Sequence, residues 1–142
     1  MGRVHFLGKI PYDQFVQVLQ VSSAHVYLTY PAVLSWSMIE AMAAGCLVIG
    51  SRTAPVEEVI EHRRNGLLVD FFSPAAIADA VDEVLGHHDR MQAIRDQARQ
   101  DAIDRYDVTG ICLPRQIELV RSLAAGQFPR PSIGDQPRFD RE

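Results

Sequence analysis

Apolar residues along this chain fall into short continuous runs and into helically spaced stripes, and the alternation of the two sets out its elements. Residues 25–30, HVYLTY, are β-branched and aromatic with no breaker before Pro31, which predicts a strand. Residues 46–50, CLVIG, and 66–70, GLLVD, are apolar runs of the kind found in parallel strands buried on both faces. Residues 3–7 predict one more short strand, ending at Gly8. Between these runs the spacing changes. Phe15, Val18 and Leu19 predict a helix over 12–20. Residues 37–44, rich in Met, Ala and Ile, predict another, with Gly45 as its stop. The residues before it, 31–36, read as a loop because proline cannot join a central strand's ladder. Val56, Val59 and Ile60 predict one or two helical turns starting just past Pro55 and stopping near Asn65 and Gly66.

The second half of the chain reads as helices. Ser73 and Pro74 supply a cap and a first-turn proline. The expected buried stripe is Ile77, Val81, Val84 and Leu85, with Asp79, Asp82 and Glu83 toward water. Asp89 is the expected cap of the next helix, with Met91, Ile94 and Ala98 on one side and Arg95, Arg99 and Asp101 on a solvated one. Residues 106–123 predict a last helix, which Pro114 must start, end or kink. Residues 125–142, with three prolines and two glycines, predict a disordered tail. The order β-α-β-α-β-α-β followed by helices argues a three-layer α/β domain over residues 1–124. Its sheet is parallel, of about four strands with right-handed crossovers.

Composition narrows the partners. At 142 residues, 47% hydrophobic and 23% charged, the chain suits one ordinary soluble domain. A formal net charge of -4 gives no electrostatic case for nucleic acid, and membrane association is not indicated. The five histidines include no helix-spaced pair, so neither a metal nor another cofactor is expected. Cys46 and Cys112 form no CxxC motif, which suits a reduced, cytoplasmic protein with Cys46 in the core. The first residues hold no apolar run long enough for a signal peptide. Pro31, Ser35, Ser37, Glu40 and Gly45 interrupt the least charged region, so it is not read as a membrane span.

Candidate chemistry centres on Glu40. From Gln14 to Ser51 it is the only formally charged side chain, counting His25 as neutral. A lone carboxylate in so apolar a setting needs hydrogen-bond donors. Strand, loop, helix and strand form a βαβ unit, whose ligands sit at strand C-termini beside the following helix N-terminus. Glu40 is expected in that helix's first turn. Two readings stand side by side. Ser37-Met38-Ile39-Glu40 fits the capping box, in which the glutamate reaches back to the cap residue's N–H. Alternatively, Glu40 meets ligand hydroxyls while Ser35, Trp36 and Ser37 offer amides and hydroxyls to an anion. Capping alone also accounts for the serines, and Trp36 can simply fill the loop. His62, Arg63 and Arg64 read as solvated surface. No GxSxG, P-loop, GxGxxG or HExxH motif is present, and no catalytic base is assigned.

Several segments taken together resemble a known family. Phe6-Leu7-Gly8, residues 24–28 (AHVYL), residues 39–49 (IEAMAAGCLVI), Glu58-Val59-Ile60 and residues 65–69 (NGLLV) are similar, in order, to the C-terminal half of retaining glycosyltransferases of the group 1 (GT4) type. The resemblance covers about residues 3–123. It implies the GT-B fold, in which two Rossmann-like domains face each other across a cleft. The C-terminal domain holds a nucleotide-diphosphate sugar donor and the N-terminal one mainly the acceptor. It implies further that Glu40 matches the second glutamate of the E-x7-E motif, which hydrogen-bonds the donor ribose, and that amides around Ser35–Ser37 face the diphosphate or sugar. The sequence departs from the pattern twice. The motif's first glutamate falls at Ala32. The family's phosphate-binding Arg and Lys, the first two strands of the domain and the acceptor domain have no counterpart. Each missing cation would remove a charge-assisted bond of roughly 1.5–3 kcal/mol. The chain is therefore expected to be a partial donor-binding domain, inactive by itself. Its partners would be a donor, an unidentified acceptor, and either a missing N-terminal domain or a second copy paired through a bare sheet edge. The alternative is a non-catalytic remnant or interaction module that keeps the Rossmann-like fold.

Overall fold

The computed structural model describes residues 3–30 and 33–127, and the chain divides into two compact units, Met1–Asp107 and Val108–Glu142. In the first unit β1 (Ala24–Tyr27), β2 (Leu47–Ser51) and β3 (Leu67–Val69) form a parallel sheet in the order β1-β2-β3. The register sets Val26 opposite Ile49 and Gly50 opposite Leu68. Strand side chains alternate between faces, so Val48 and Leu68 join one apolar cluster while Leu47, Ile49, Leu67 and Val69 join the other.

Helices cover both faces. α1 (Tyr12–Val21), α2 (Trp36–Ala43) and α3 (Ala54–Glu57) bring Leu19, Met38, Met42 and Val56 to the first cluster. α4 (Pro74–Gly86) brings Ala80 and Val84 to the second. α5 (His88–Tyr106) serves both, through Met91 on the second and Ala98 and Ala102 on the first. This is the three-layer α/β arrangement expected from the sequence. Leu47, Val48 and Ile49 are wholly buried, each contributing about 1.5–3 kcal/mol by leaving water.

Local signals set several boundaries. Ser73 caps α4, its hydroxyl accepting from the Ala76 N–H at 3.2 Å. Gly45, at φ +79°, ends α2 in a Schellman turn, with Gly45 N–H bonded to Met42 O at 3.0 Å and Cys46 N–H to Ala41 O at 2.9 Å.

Four expectations are corrected. Residues 3–7 form no strand, so the sheet has three strands rather than four among the described residues. A strand is stabilised by its ladder with a neighbour. None pairs with this segment, and Val4, Phe6 and Leu7 stay 71%, 95% and 58% exposed. β1 stops at Tyr27 instead of reaching residue 30. Leu85 is exposed, outside the stripe assigned to it. Arg95 and Asp101, expected on a wet face, are buried because both meet polar groups of neighbouring segments. Arg95 donates to Ser23 O at 2.7 Å, and Asp101 accepts from Arg64, Asn65 and Gln97 at 2.8, 2.6 and 2.7 Å.

The second unit opens with a π-helical turn, Val108–Cys112, and continues as α6 (Leu113–Ala124), which carries Pro114 in its first turn where no N–H is missed. Most of the expected tail, residues 128–142, lies outside the described residues. Among the described residues no helix is long and apolar enough to cross a membrane.

Candidate functional site

β1, the loop after it and α2 hold the four candidate residues. Ser35, not Ser37, is the N-cap of α2, and its Oγ accepts from Ser37 N–H at 3.3 Å. The Ser35 and Ser37 hydroxyls lie 3.1 Å apart. Ser35 N–H in turn donates to the Tyr27 hydroxyl at 2.8 Å. Two of the amides the sequence offered to an anion are therefore already bonded within the protein. Trp36 is the first residue of α2 and is 71% exposed, so it does not fill the loop's interior. Ala32 lies outside the described residues.

With Ser35 as cap, the capping-box position falls on Met38, and Glu40 begins the second turn of α2 instead of sitting in the first. The capping-box reading is thereby set aside. Glu40 is half-buried and finds its donor elsewhere: the Tyr12 hydroxyl at the start of α1 donates to Oε1 at 2.9 Å. The carboxylate holds the Tyr12 phenol above its usual pKa, through the hydrogen bond first and its charge second. Sequence reasoning missed Tyr12. It lies 28 residues away on another helix, and no local pattern ties the two together.

Among the described residues, the candidates border separate hollows. Ser35 and Trp36 border a hollow of about 230 Å³ with Leu34, Ile39 and Tyr106. Glu40 borders another of about 240 Å³ with Tyr12, Val16, Gln20 and Arg99. Arg99, expected on a solvated face, is thus the cationic side chain beside Glu40's hollow.

A larger depression of about 380 Å³ opens between α3, the loop before β3 and Arg105. Most of its charges are paired. Arg52 meets Glu57 at 3.2 Å, and Arg64 meets Glu61 and Asp101 at 2.8 Å each. Arg63 makes two bonds to Glu83, of 2.7 and 2.9 Å, which raise its pKa and hold Glu83 below the usual carboxylate range. His62 Nδ1 accepts from Leu68 N–H at 2.9 Å. The basic triplet expected to be solvated surface is thus tied down, and its pairing leaves no cluster of free cations for an anion. Cys46 is a core residue as expected, and burial pushes its thiol up to about 11. Among the described residues no cluster of His, Cys, Asp and Glu has the makings of a metal site.

Residues 2–101 match the family model described as glycosyl transferases group 1. The D-inositol 3-phosphate glycosyltransferase of Corynebacterium urealyticum is 29% identical over 120 residues, 84% of this chain and 28% of that protein. Sucrose-phosphate synthase of Thermosynechococcus elongatus superposes with a TM-score of 0.79 at 25% identity, over 87% of this chain and 31% of its own. Anabaena HepE, solved in complex with UDP-glucose, shares the fold with a TM-score of 0.68 at 21% identity, over 77% of this chain and 29% of its own. The chain spans between a quarter and a third of the length of these proteins. The family match runs through α1, all three strands and most of α5, and the solved folds agree with it. This chain belongs to the glycosyl transferases group 1 family.

Proposed function

We propose that the chain binds a nucleotide-diphosphate sugar and serves transfer of that sugar to an acceptor hydroxyl, as the donor-holding part of a GT-B glycosyltransferase. The observation that carries the reading is the group 1 family match across the whole sheet and the helices packed on it. The UDP-glucose complex of HepE, a protein of the same fold, supports the choice of donor class. In this reading Glu40 accepts from the ribose hydroxyls. Tyr12 engages only Oε1 among the described residues, and a carboxylate has about four lone-pair sites, so ligand and tyrosine can share it. A diphosphate at the start of α2 displaces the Ser35 hydroxyl from Ser37 N–H and draws on the positive end of the helix. The sugar lies toward Ser35, Trp36 and Ser37. The acceptor side comes from a further domain, or from a second copy meeting the β1 edge. Two unpaired thiols support a reducing, cytoplasmic setting.

One observation favours the second reading, a non-catalytic module. The start of α2 is self-capped, with Ser35 and Ser37 N–H both bonded internally. Isothermal titration against UDP, GDP, ADP and their glucose or mannose conjugates decides between them. Saturable binding of at least one donor, tighter than its parent nucleotide, supports the enzyme reading. Absence of binding across the panel leaves the module.

A further inference from the structure

We propose that the exposed ring of Tyr12 is the face on which the nucleobase of the bound nucleotide stacks. The proposal rests on the donor reading above and names what holds the far end of that ligand. Glu40 is the fixed point. Its Oε1 already accepts from the Tyr12 hydroxyl at 2.9 Å, and the remaining lone pairs of the carboxylate are left for the ribose hydroxyls. Two donors on one carboxylate are neighbours. The ribose and the phenol of Tyr12 therefore stand side by side, and the base, one glycosidic bond from the ribose, comes within reach of the phenol's ring. The order along α2 selects the base over the donor's sugar. Ser35 and Trp36 border their hollow at the start of the helix, where the diphosphate and sugar are placed. Glu40 lies four residues further on, about 6 Å along the axis. The hollow of about 240 Å³ that it shares with Tyr12 continues past it to Ala43 and Ala44, away from the sugar end.

The ring is held in place and open to water. Tyr12 is the first residue of α1, directly after Pro11, whose own ring fixes φ at -57°. The Phe15 N–H closes the first turn on Pro11 O at 3.0 Å. The Phe15 ring lies with its centroid 6.3 Å from that of Tyr12 and its plane inclined by 39°. Phe15 itself packs against the first apolar cluster, so it braces Tyr12 from the protein side, while the hydroxyl bond to Glu40 fixes the tip. Tyr12 nevertheless stays 66% exposed. A ring so exposed buries little apolar area, and its hydrogen bond competes with water, so neither adds much to folding. What the arrangement supplies is a flat face, already oriented, beside the carboxylate. Little side-chain freedom remains to be lost on binding. Every base has a π-face and stacks on such a ring, so Tyr12 sets the strength of nucleotide binding and leaves the choice of base to other groups.

The test is calorimetric titration of the full chain with UDP, GDP and ADP, with near-ultraviolet difference spectra of the bound base. Wild-type protein should bind at least one of them and lower the absorbance of its base, the signature of stacking. Tyr12→Ala should weaken that binding by about five-fold or more and abolish the absorbance change. Tyr12→Phe, which keeps the ring and loses the hydroxyl, should retain both. Tyr12→Leu keeps apolar bulk without the π-face and should behave as the alanine variant does, and it serves if that variant unfolds. Equal affinity in wild type, Tyr12→Ala and Tyr12→Leu overturns the stacking face and leaves the donor reading in place. So does a Tyr12→Phe variant that loses as much as Tyr12→Ala, because the hydroxyl and not the ring would then hold the ligand. Wild-type protein that binds none of the three nucleotides refutes the donor reading itself, and the stacking face with it.

Discussion

Glu40 offers the sharpest test, because a purely structural role and a ligand role predict opposite outcomes. Glu40→Gln preserves side-chain shape and removes the charge. In the structure the carboxylate's partner among the described residues is the Tyr12 hydroxyl, at 2.9 Å and with Tyr12 itself 66% exposed. Ser37 N–H is satisfied by Ser35 and does not depend on Glu40. Solvent competes for so exposed a contact, so thermal stability should change little in Glu40→Gln and equally little in Tyr12→Phe. Ligand affinity should separate them. A hydrogen bond to a charged group contributes about 1.5–3 kcal/mol, so Glu40→Gln should weaken nucleotide-sugar binding roughly 10- to 150-fold. Tyr12→Phe leaves the carboxylate free for ribose, and affinity should hold or rise. The assay is calorimetric titration of both single variants and the double variant, with a melting curve for each. If Glu40→Gln lowers the melting temperature and leaves affinity unchanged in both Tyr12 backgrounds, the residue is structural and its ribose role is wrong.

Asn65 is almost wholly buried, with Oδ1 accepting from Glu61 N–H and Nδ2 donating to Val59 O and Asp101 Oδ2. Asn65→Ala strands these groups and should cost about 2–4 kcal/mol in urea unfolding; a loss well under 1 kcal/mol would refute the network. His25 is held below its usual pKa by burial, and His62 by burial first and then by Arg63 and Arg52. Both therefore resist protonation in the folded chain, and the unfolded chain takes up their protons first as pH drops through its ordinary histidine range near 6.5. Stability is then complete above that range and falls below it, and His62→Gln should flatten the slope of melting temperature between neutral and mildly acidic pH. An unchanged slope would show that His62 Nδ1 does not matter to β3. β1 is an edge strand with Val26 and Leu28 partly exposed and no charged residue from 24 to 30, so light scattering should find oligomers. A monodisperse monomer that unfolds cooperatively would show that the edge needs no partner. Sugar transfer by the pure chain should be undetectable, since both substrates must be held together, and measurable turnover would refute the partial-domain account.

Much of this fold was legible in the sequence, where the signal was local. Ser73 with Pro74 marked the start of α4 and Gly45 the end of α2, because caps and left-handed turns are set by side chains within a few residues. The apolar runs marked β2 and β3, since a strand buried on both faces must be apolar throughout. The segment at 3–7, RVHFL, reads as a strand as well and forms none, because a ladder needs a neighbour that its own composition cannot supply. Glu40 stood out as the one charge in an apolar stretch, yet only the packing of α1 on α2 brought Tyr12 to it. Arg95 and Asp101 looked like surface charges on a polar helix face; Ser23, Arg64 and Asn65, far along the chain, make their burial affordable. The rings of Tyr30, Phe71 and Phe72 likewise come together only once β1 and β3 flank β2. Short-range hydrogen bonding and periodicity are written along the chain, whereas the partners of a buried charge or an exposed ring are chosen by contacts between distant segments.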